Sequence, residues 1–172
     1  MLPEGVLGVE QMPGRWWVAH TKARFEKVFA WDLFSRGIGY FLPMIERVRV
    51  SGGRKRRVLM PLFTSYVFFC GGERDRYQAM TTGRLCRTID APNQGGFVAE
   101  IAAVEKALRG HGVLDPYPFA AVGERCRVAC GPFAGLEGIV VHRGKTARLV
   151  LEVSILSQGA CLEIDADLVE PA

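Results

Sequence analysis

The sequence has little of what active-site chemistry requires. Its three histidines, His20, His111 and His142, stand far apart, and a lone imidazole is more often structural or solvent-facing than catalytic. The five cysteines, Cys70, Cys86, Cys126, Cys130 and Cys161, are odd in number and include no CxxC pair. That pattern supplies neither a disulfide framework nor the paired ligands of a zinc site. Small buried hydrophobes are the default reading of such thiols, and no metal or cofactor is expected. No cysteine has a histidine within four residues. A thiolate beside its base is therefore not visible, and an enzyme is not expected.

Long apolar runs are also missing. A bilayer-crossing helix needs about 18 apolar residues, and the best stretch, around residues 67–70, gives way at once to Gly71, Gly72 and Glu73. The amino terminus, MLPEGVLGVEQMPGR, lacks the basic start and apolar centre of a signal peptide and reads as a floppy leader. These absences give the expectation of a cytoplasmic protein with no membrane partner.

What is present is enough apolar material for a packed core. The chain is 49% hydrophobic and 23% charged, which is the balance of a folded soluble protein rather than a disordered one. The net charge of +4 conceals an asymmetry: residues 1–110 carry 17 Lys+Arg against 10 Asp+Glu, while residues 111–172 carry 5 against 8. The first part is thus strongly basic and the second mildly acidic, so they face different partners.

Periodicity divides the chain further. Residues 15–21 (RWWVAHT) are rich in aromatic and β-forming types and read as a strand. Over residues 22–36 the spacing of Phe25, Val28, Phe29, Leu33 and Phe34 gives an amphipathic helix, stopped by Gly37. Residues 38–50 return to strand character, interrupted at Pro43. Residues 51–57 (SGGRKRR) read as a loop. The apolar run 60–70 (MPLFTSYVFFC) suits a central strand buried on both faces. A short helix over 75–80, a strand over 85–89 and a helix over 99–109 complete the series. This order predicts an α+β fold, a ferredoxin-like α/β sandwich with helices on one face of an antiparallel sheet. Residues 111–121, with Pro116 and Pro118 and no apolar period, read as a linker. From Val122 onward, short β-like runs between turn signals predict a small β-barrel. The domains expected are therefore 15–110 and 122–172.

Two sets of segments resemble one family. RWWVAHTKARFE, YFLPMIERVRV, GGRKRR and PLFTSYVFF are similar, in order and spacing, to the amino-terminal domain of NusG-type transcription elongation factors. GERCRVACGPFAGLEGIVV resembles the KOW motif that follows that domain. Either alone is shared with other proteins, the KOW sequence with ribosomal ones, whereas the ordered pair is specific and covers nearly all of the chain from Arg15. Thr64-Ser65 stands where the family usually has Pro-Gly or Pro-Asn. Leu42-Pro43-Met44 and Pro61-Leu62-Phe63 look closer to the specialised paralogues, RfaH among them, than to the housekeeping factor.

The resemblance implies a ferredoxin-like domain followed by an SH3-like barrel, with no catalysis, acting as a monomer in elongation and antitermination. It implies that Phe63, Tyr66 and Phe68, with Trp17 nearby, line a hydrophobic depression for the clamp helices of the largest subunit of RNA polymerase. Aromatic rings suit such a contact. Alternation puts Tyr66 and Phe68 on one face and Val67 and Phe69 on the other, and either face could meet the polymerase. Lys22, Arg24, Thr82 and Arg84 resemble positions that approach non-template DNA, although a solvated face is the ordinary role of such residues. Arg54, Lys55, Arg56 and Arg57 form a dense basic cluster that suits either nucleic acid or a mobile hairpin tip. In the KOW segment Phe133 and Leu136 are candidate contacts for a ribosomal protein or the termination factor Rho. The alternative is a ribosome-associated KOW-type RNA-binding protein, which the acidic balance of residues 111–172 disfavours because RNA affinity leans on phosphate neutralisation.

Overall fold

The computed structural model describes residues 8–172, and residues 1–7 of the expected leader lie outside it. Two compact units divide the chain: one takes Gln11–Pro92, the other Gly8–Glu10 and Asn93–Ala172.

In the first unit the elements are β1 (Arg15–Thr21), α1 (Glu26–Ser35), β2 (Gly39–Phe41), β3 (Met44–Ser51), β4 (Arg54–Pro61), β5 (Tyr66–Gly71), α2 (Glu73–Met80) and β6 (Leu85–Asp90). Four strands make an antiparallel sheet in the order β2-β5-β1-β6. With the β3–β4 hairpin set aside, the chain runs β-α-β-β-α-β through that sheet, which is the ferredoxin-like order expected from the sequence. One sheet face carries Trp17, Ala19, Tyr40, Val67 and Phe69. They pack with Phe29, Ala30 and Leu33 of α1 and Ala79 of α2 in one buried cluster. The rings interlock: Trp17 stacks on Phe69 at 5.5 Å, and Phe29 meets Phe69 edge-on at 6.2 Å. A Leu, Val or Phe side chain among them contributes about 1.5–3 kcal/mol by leaving water, the alanines less and the tryptophan more, which is what holds the two helices to the sheet.

Helix α1 begins at Glu26 rather than Lys22. The residues before it form a turn in which Phe25 N–H donates to the Lys22 carbonyl and Arg24 sits at φ 65°, a conformation no α-helix admits. Residues 51–57 are not a loop. Strands β3 and β4 pair over eight rows, from Met44↔Pro61 to Ser51↔Arg54, and only Gly52 and Gly53 turn. Their φ angles of 57° and 73° are those of the two-residue turn whose twist matches paired strands.

The second unit holds α3 (Gln94–Arg109), β7 (Leu114–Tyr117), β8 (Glu124–Val128), β9 (Glu137–Arg143), β10 (Thr146–Val153), β11 (Gln158–Asp165) and β12 (Val169–Pro171). Its six strands are ordered β12-β8-β9-β10-β11-β7, antiparallel throughout. Asn93 Oδ1 accepts from Gly96 N–H at 3.0 Å and starts α3, and the helix packs against β10. That packing draws α3 into the second unit, so the compact units divide at 92/93, whereas sequence texture changes at 110/111. Within the expected linker, Leu114 pairs with Leu162 and Tyr117 with Gly159. Pro116 hides this strand from a sequence reading, yet proline is tolerated here because β7 is the end strand of the sheet. Part of the expected leader is structured as well: Val9 begins a turn of 3-10 helix, is fully buried, and donates its N–H to Glu105 Oε2 at 2.8 Å. Among the described residues no helix is long and apolar enough to cross a membrane.

Candidate functional site

The sheet face turned away from α1 and α2 is also aromatic. Alternation from Trp17 and Phe69 places Trp16, Val18 and His20 of β1, Tyr66, Phe68 and Cys70 of β5, and Phe41 of β2 on that side, and the register pairs Val18 with Phe68 and His20 with Tyr66. Phe68 lies 6.2 Å from Phe41 and 5.8 Å from Phe63, ring to ring. Phe63 and Phe68 are closed to solvent at 1% and 0% exposure. Tyr66 is half-buried and stacks on His20 at 5.1 Å, forming the accessible end of the face. Trp17 is a correction. It points to the opposite side, under α1, and so does not line a depression with Tyr66 and Phe68. The sequence could not separate Trp16 from Trp17, since both faces of β1 are buried.

The turn before β5 explains the unusual Thr64-Ser65. Ser65 adopts φ 66°, the left-handed region that glycine or asparagine enters most cheaply. It is held there from both sides: Ser65 N–H donates to Glu26 Oε1 at 2.6 Å, and its carbonyl accepts from Thr21 N–H at 2.9 Å.

A basic corner forms where β1 ends and β6 begins. Lys22 N–H donates to the Arg84 carbonyl at 2.9 Å, and Lys22 Nζ reaches the Gly83 carbonyl at 2.8 Å. The Thr82 hydroxyl donates to the Ala79 carbonyl at 2.8 Å and accepts from Arg84 N–H at 3.3 Å. Arg84 is already engaged: Nε lies 3.2 Å from Asp32 Oδ2 and the guanidinium sits 5.4 Å above the Phe25 ring. The structure thus gathers Lys22, Thr82 and Arg84, with exposed Arg24 two residues along the chain, and neutralises part of Arg84. The outer side of α1 adds a pair that periodicity missed: Trp31, 66% exposed, lies 5.5 Å from Phe34. Its signal was that Trp31 falls between Phe29 and Leu33, off the buried stripe.

The hairpin rearranges the four-residue basic cluster. Strand alternation sends Arg54 and Arg56 to one side and Lys55 and Arg57 to the other. Across the ribbon Arg56 faces Arg49 and Lys55 faces Val50. One face therefore carries Arg47, Arg49, Arg54 and Arg56. The other carries Lys55, Arg57, Val48, Val50 and Leu59 with Glu46, whose carboxylate pairs with Arg57 at 3.7 Å.

In the second unit Leu136 is interior, at 3% exposure, so it is not the exposed contact expected from the sequence. Phe133 is half-buried, and a side chain added at Gly110 or Gly112 would strike its ring. Glu137 takes hydrogen bonds from Arg127 and Arg125, which hold its carboxyl below the ordinary range. Burial, with Asp75 nearby, pushes the Cys70 thiol up to about 12, far from the range of a nucleophilic thiolate at neutral pH. No group of three His, Cys, Asp or Glu among the described residues could hold a metal ion.

Residues 14–82 match the family model described as NusG, transcription termination factor nusG. The match runs from β1 to α2 and so takes in three strands of the four-stranded sheet, with β6 beyond it. The whole chain is similar to a solved structure described as domain interaction in Thermotoga maritima NusG. That likeness covers 95% of this chain and 99% of the other, with 14% identity and a TM-score of 0.50. At that identity the likeness is one of fold. A weaker likeness, to the MjSpt4:Spt5 complex, covers 91% of this chain and 97% of that one at 14% identity, with a TM-score of 0.28. No curated protein matches the chain.

Proposed function

We propose that this chain is a NusG-type transcription elongation factor that binds RNA polymerase and performs no chemistry of its own. The observation that carries the reading is the match of residues 14–82 to the NusG family model, and the likeness of fold to the Thermotoga maritima NusG structure supports it. The mechanism is differential binding. A factor that binds elongating polymerase tenfold more tightly than paused polymerase shifts that equilibrium tenfold, or about 1.4 kcal/mol.

We assign the contact with the polymerase clamp helices to the sheet end where Tyr66 stacks on His20, with Phe63 and Phe68 supporting it from beneath. Lys22 and Arg24, which have no carboxylate partner among the described residues, are the cations of the basic corner that face the non-template strand. Arg84 orients that corner through Asp32 rather than neutralising phosphate. Residues from 122 onward serve as the second docking module, for a ribosomal protein or Rho, with Phe133 as its apolar contact. Leu42-Pro43-Met44 favours a specialised paralogue of the RfaH kind over the housekeeping factor.

The test is co-purification with core polymerase together with pause lifetimes on several templates. The expected result is retention on the polymerase and shorter pauses, both lost in Tyr66→Ala with the fold intact. Unchanged pauses together with no co-purification would overturn the proposal.

A further inference from the structure

The hairpin β3–β4 is a ribbon whose two faces differ in chemistry, and among the described residues neither strand makes more than slight contact with any other element. Its root is fixed by Ile45, at 7% exposure. Beyond it, residues 48–57 are all exposed. On one face stand Arg47 and Arg49 from β3 with Arg54 and Arg56 from β4. Glu46, the one acid between residues 44 and 61, is on the opposite face and is bonded to Arg57. Arg49 and Arg56 sit directly across from each other, a pairing of like charges that destabilises a ribbon in isolation. No carboxylate among the described residues pairs with Arg49, Arg54 or Arg56; Arg49 reaches only the Met60 sulfur, at 3.6 Å. Arg49, Arg54 and Arg56, set at fixed register along the ladder and without a carboxylate partner among the described residues, are complementary to a polyanion.

We propose that this arginine face binds double-stranded DNA by lying along the major groove and neutralising its phosphates. The shape selects the duplex. A two-stranded ribbon, with strands about 4.8 Å apart, enters the B-DNA major groove, which is about 12 Å wide. The major groove of an RNA duplex is deep and too narrow for side chains to read. Arginines two residues apart on one strand are spaced by about 7 Å, so the face follows the backbone over several phosphates. The contact is sequence-independent, because phosphates position a protein without specifying bases. It also stands apart from the polymerase reading, since the free protein either binds DNA through this face or does not.

The experiment measures fluorescence anisotropy of a labelled duplex of about 20 base pairs with the full chain, between 50 and 200 mM salt. Each neutralised phosphate contributes about 0.9 to the slope of log affinity against log salt. The triple variant R49Q/R54Q/R56Q is expected to flatten that slope by roughly 2.7. The opposite-face variant K55Q/R57Q is expected to change it by less than about 1. All five positions are exposed, so the melting temperature should hold. If the triple variant does not fold, Arg49→Gln alone, with an expected loss of about 0.9, decides the matter. The proposal fails if the protein ignores duplex DNA at low salt, if both variants lose slope in proportion to charge removed, or if an RNA duplex or single-stranded DNA binds as tightly as duplex DNA.

Discussion

Replacing Trp17 by alanine separates two roles that the sequence could not. If the ring lined a docking hollow, the variant would lose polymerase and keep its stability. The structure demands the opposite. Trp17 is 1% exposed and stacked 5.5 Å from Phe69, beneath α1. An aromatic side chain buries about 150–250 Å², which at about 25 cal/mol per Å² amounts to roughly 4–6 kcal/mol. Truncations of buried Phe or Trp to Ala cost about 3–5 kcal/mol. That is a large part of the roughly 5–15 kcal/mol that holds a domain folded. Tyr66→Ala removes a half-exposed ring stacked on His20 and should cost only about 1–2 kcal/mol. Equilibrium urea unfolding followed by circular dichroism, on both variants and the parent, measures the difference. A Trp17→Ala protein within about 1 kcal/mol of the parent would refute the assignment of this ring to the core.

Other consequences are equally direct. Glu26→Ala leaves the Ser65 N–H without its 2.6 Å acceptor and should cost about 1–3 kcal/mol by the same unfolding assay, whereas Glu26→Gln keeps most of it. Ser65→Gly relieves the residue at φ 66° and should be neutral or stabilising by up to about 1 kcal/mol; a marked loss would show that the hydroxyl matters more than the backbone. Thiol labelling of the native protein at pH 8 should be rapid at Cys86 and Cys130, which are exposed, and slow at Cys70, Cys126 and Cys161, which are buried, as mass spectrometry of the labelled peptides would show. The Glu137 carboxyl is held low first by Arg127 and then by Arg125, so its contribution is present above the ordinary carboxylate range and is lost only as pH falls through the depressed folded value. An NMR titration should place its midpoint below the ordinary carboxylate range, and a midpoint within or above that range would contradict the ion cluster.

The sheet and its helices were legible because contrast between faces is what periodicity records. The stripe formed by Phe29 and Leu33 and the apolar run of β5 both mark their elements. Where contrast vanished, the reading failed. Strand β1 is buried on both sides, so nothing in RWWVAHT said which tryptophan met α1. The hairpin fails for the opposite reason: exposed on both sides, it has no buried stripe, and SGGRKRR reads as loop although its arginines and lysine lie in a ladder. Strand β7 was masked by Pro116, which signals a linker unless the strand is known to be an edge. The boundary at 92/93 depends on α3 packing against β10, a contact between residues too far apart in sequence for any local pattern to reveal.

The hairpin also changes what the charge asymmetry means. Read along the chain, the excess of seven positive charges over residues 1–110 belongs to a domain. Between residues 44 and 61, however, six basic side chains face one acid, so five of those seven charges sit on the ribbon. The rest of the first 110 residues is nearly balanced, and at the basic corner Asp32 offsets Arg84 within 3.2 Å. A field from one narrow source acts differently from a diffuse one. It is screened beyond about 8–10 Å at physiological salt, so it steers a polyanion only when the ribbon itself is presented. Removing charge from this ribbon should therefore alter association with DNA far more than removing the same number elsewhere in the first unit. A general coulombic attraction would instead respond to net charge alone.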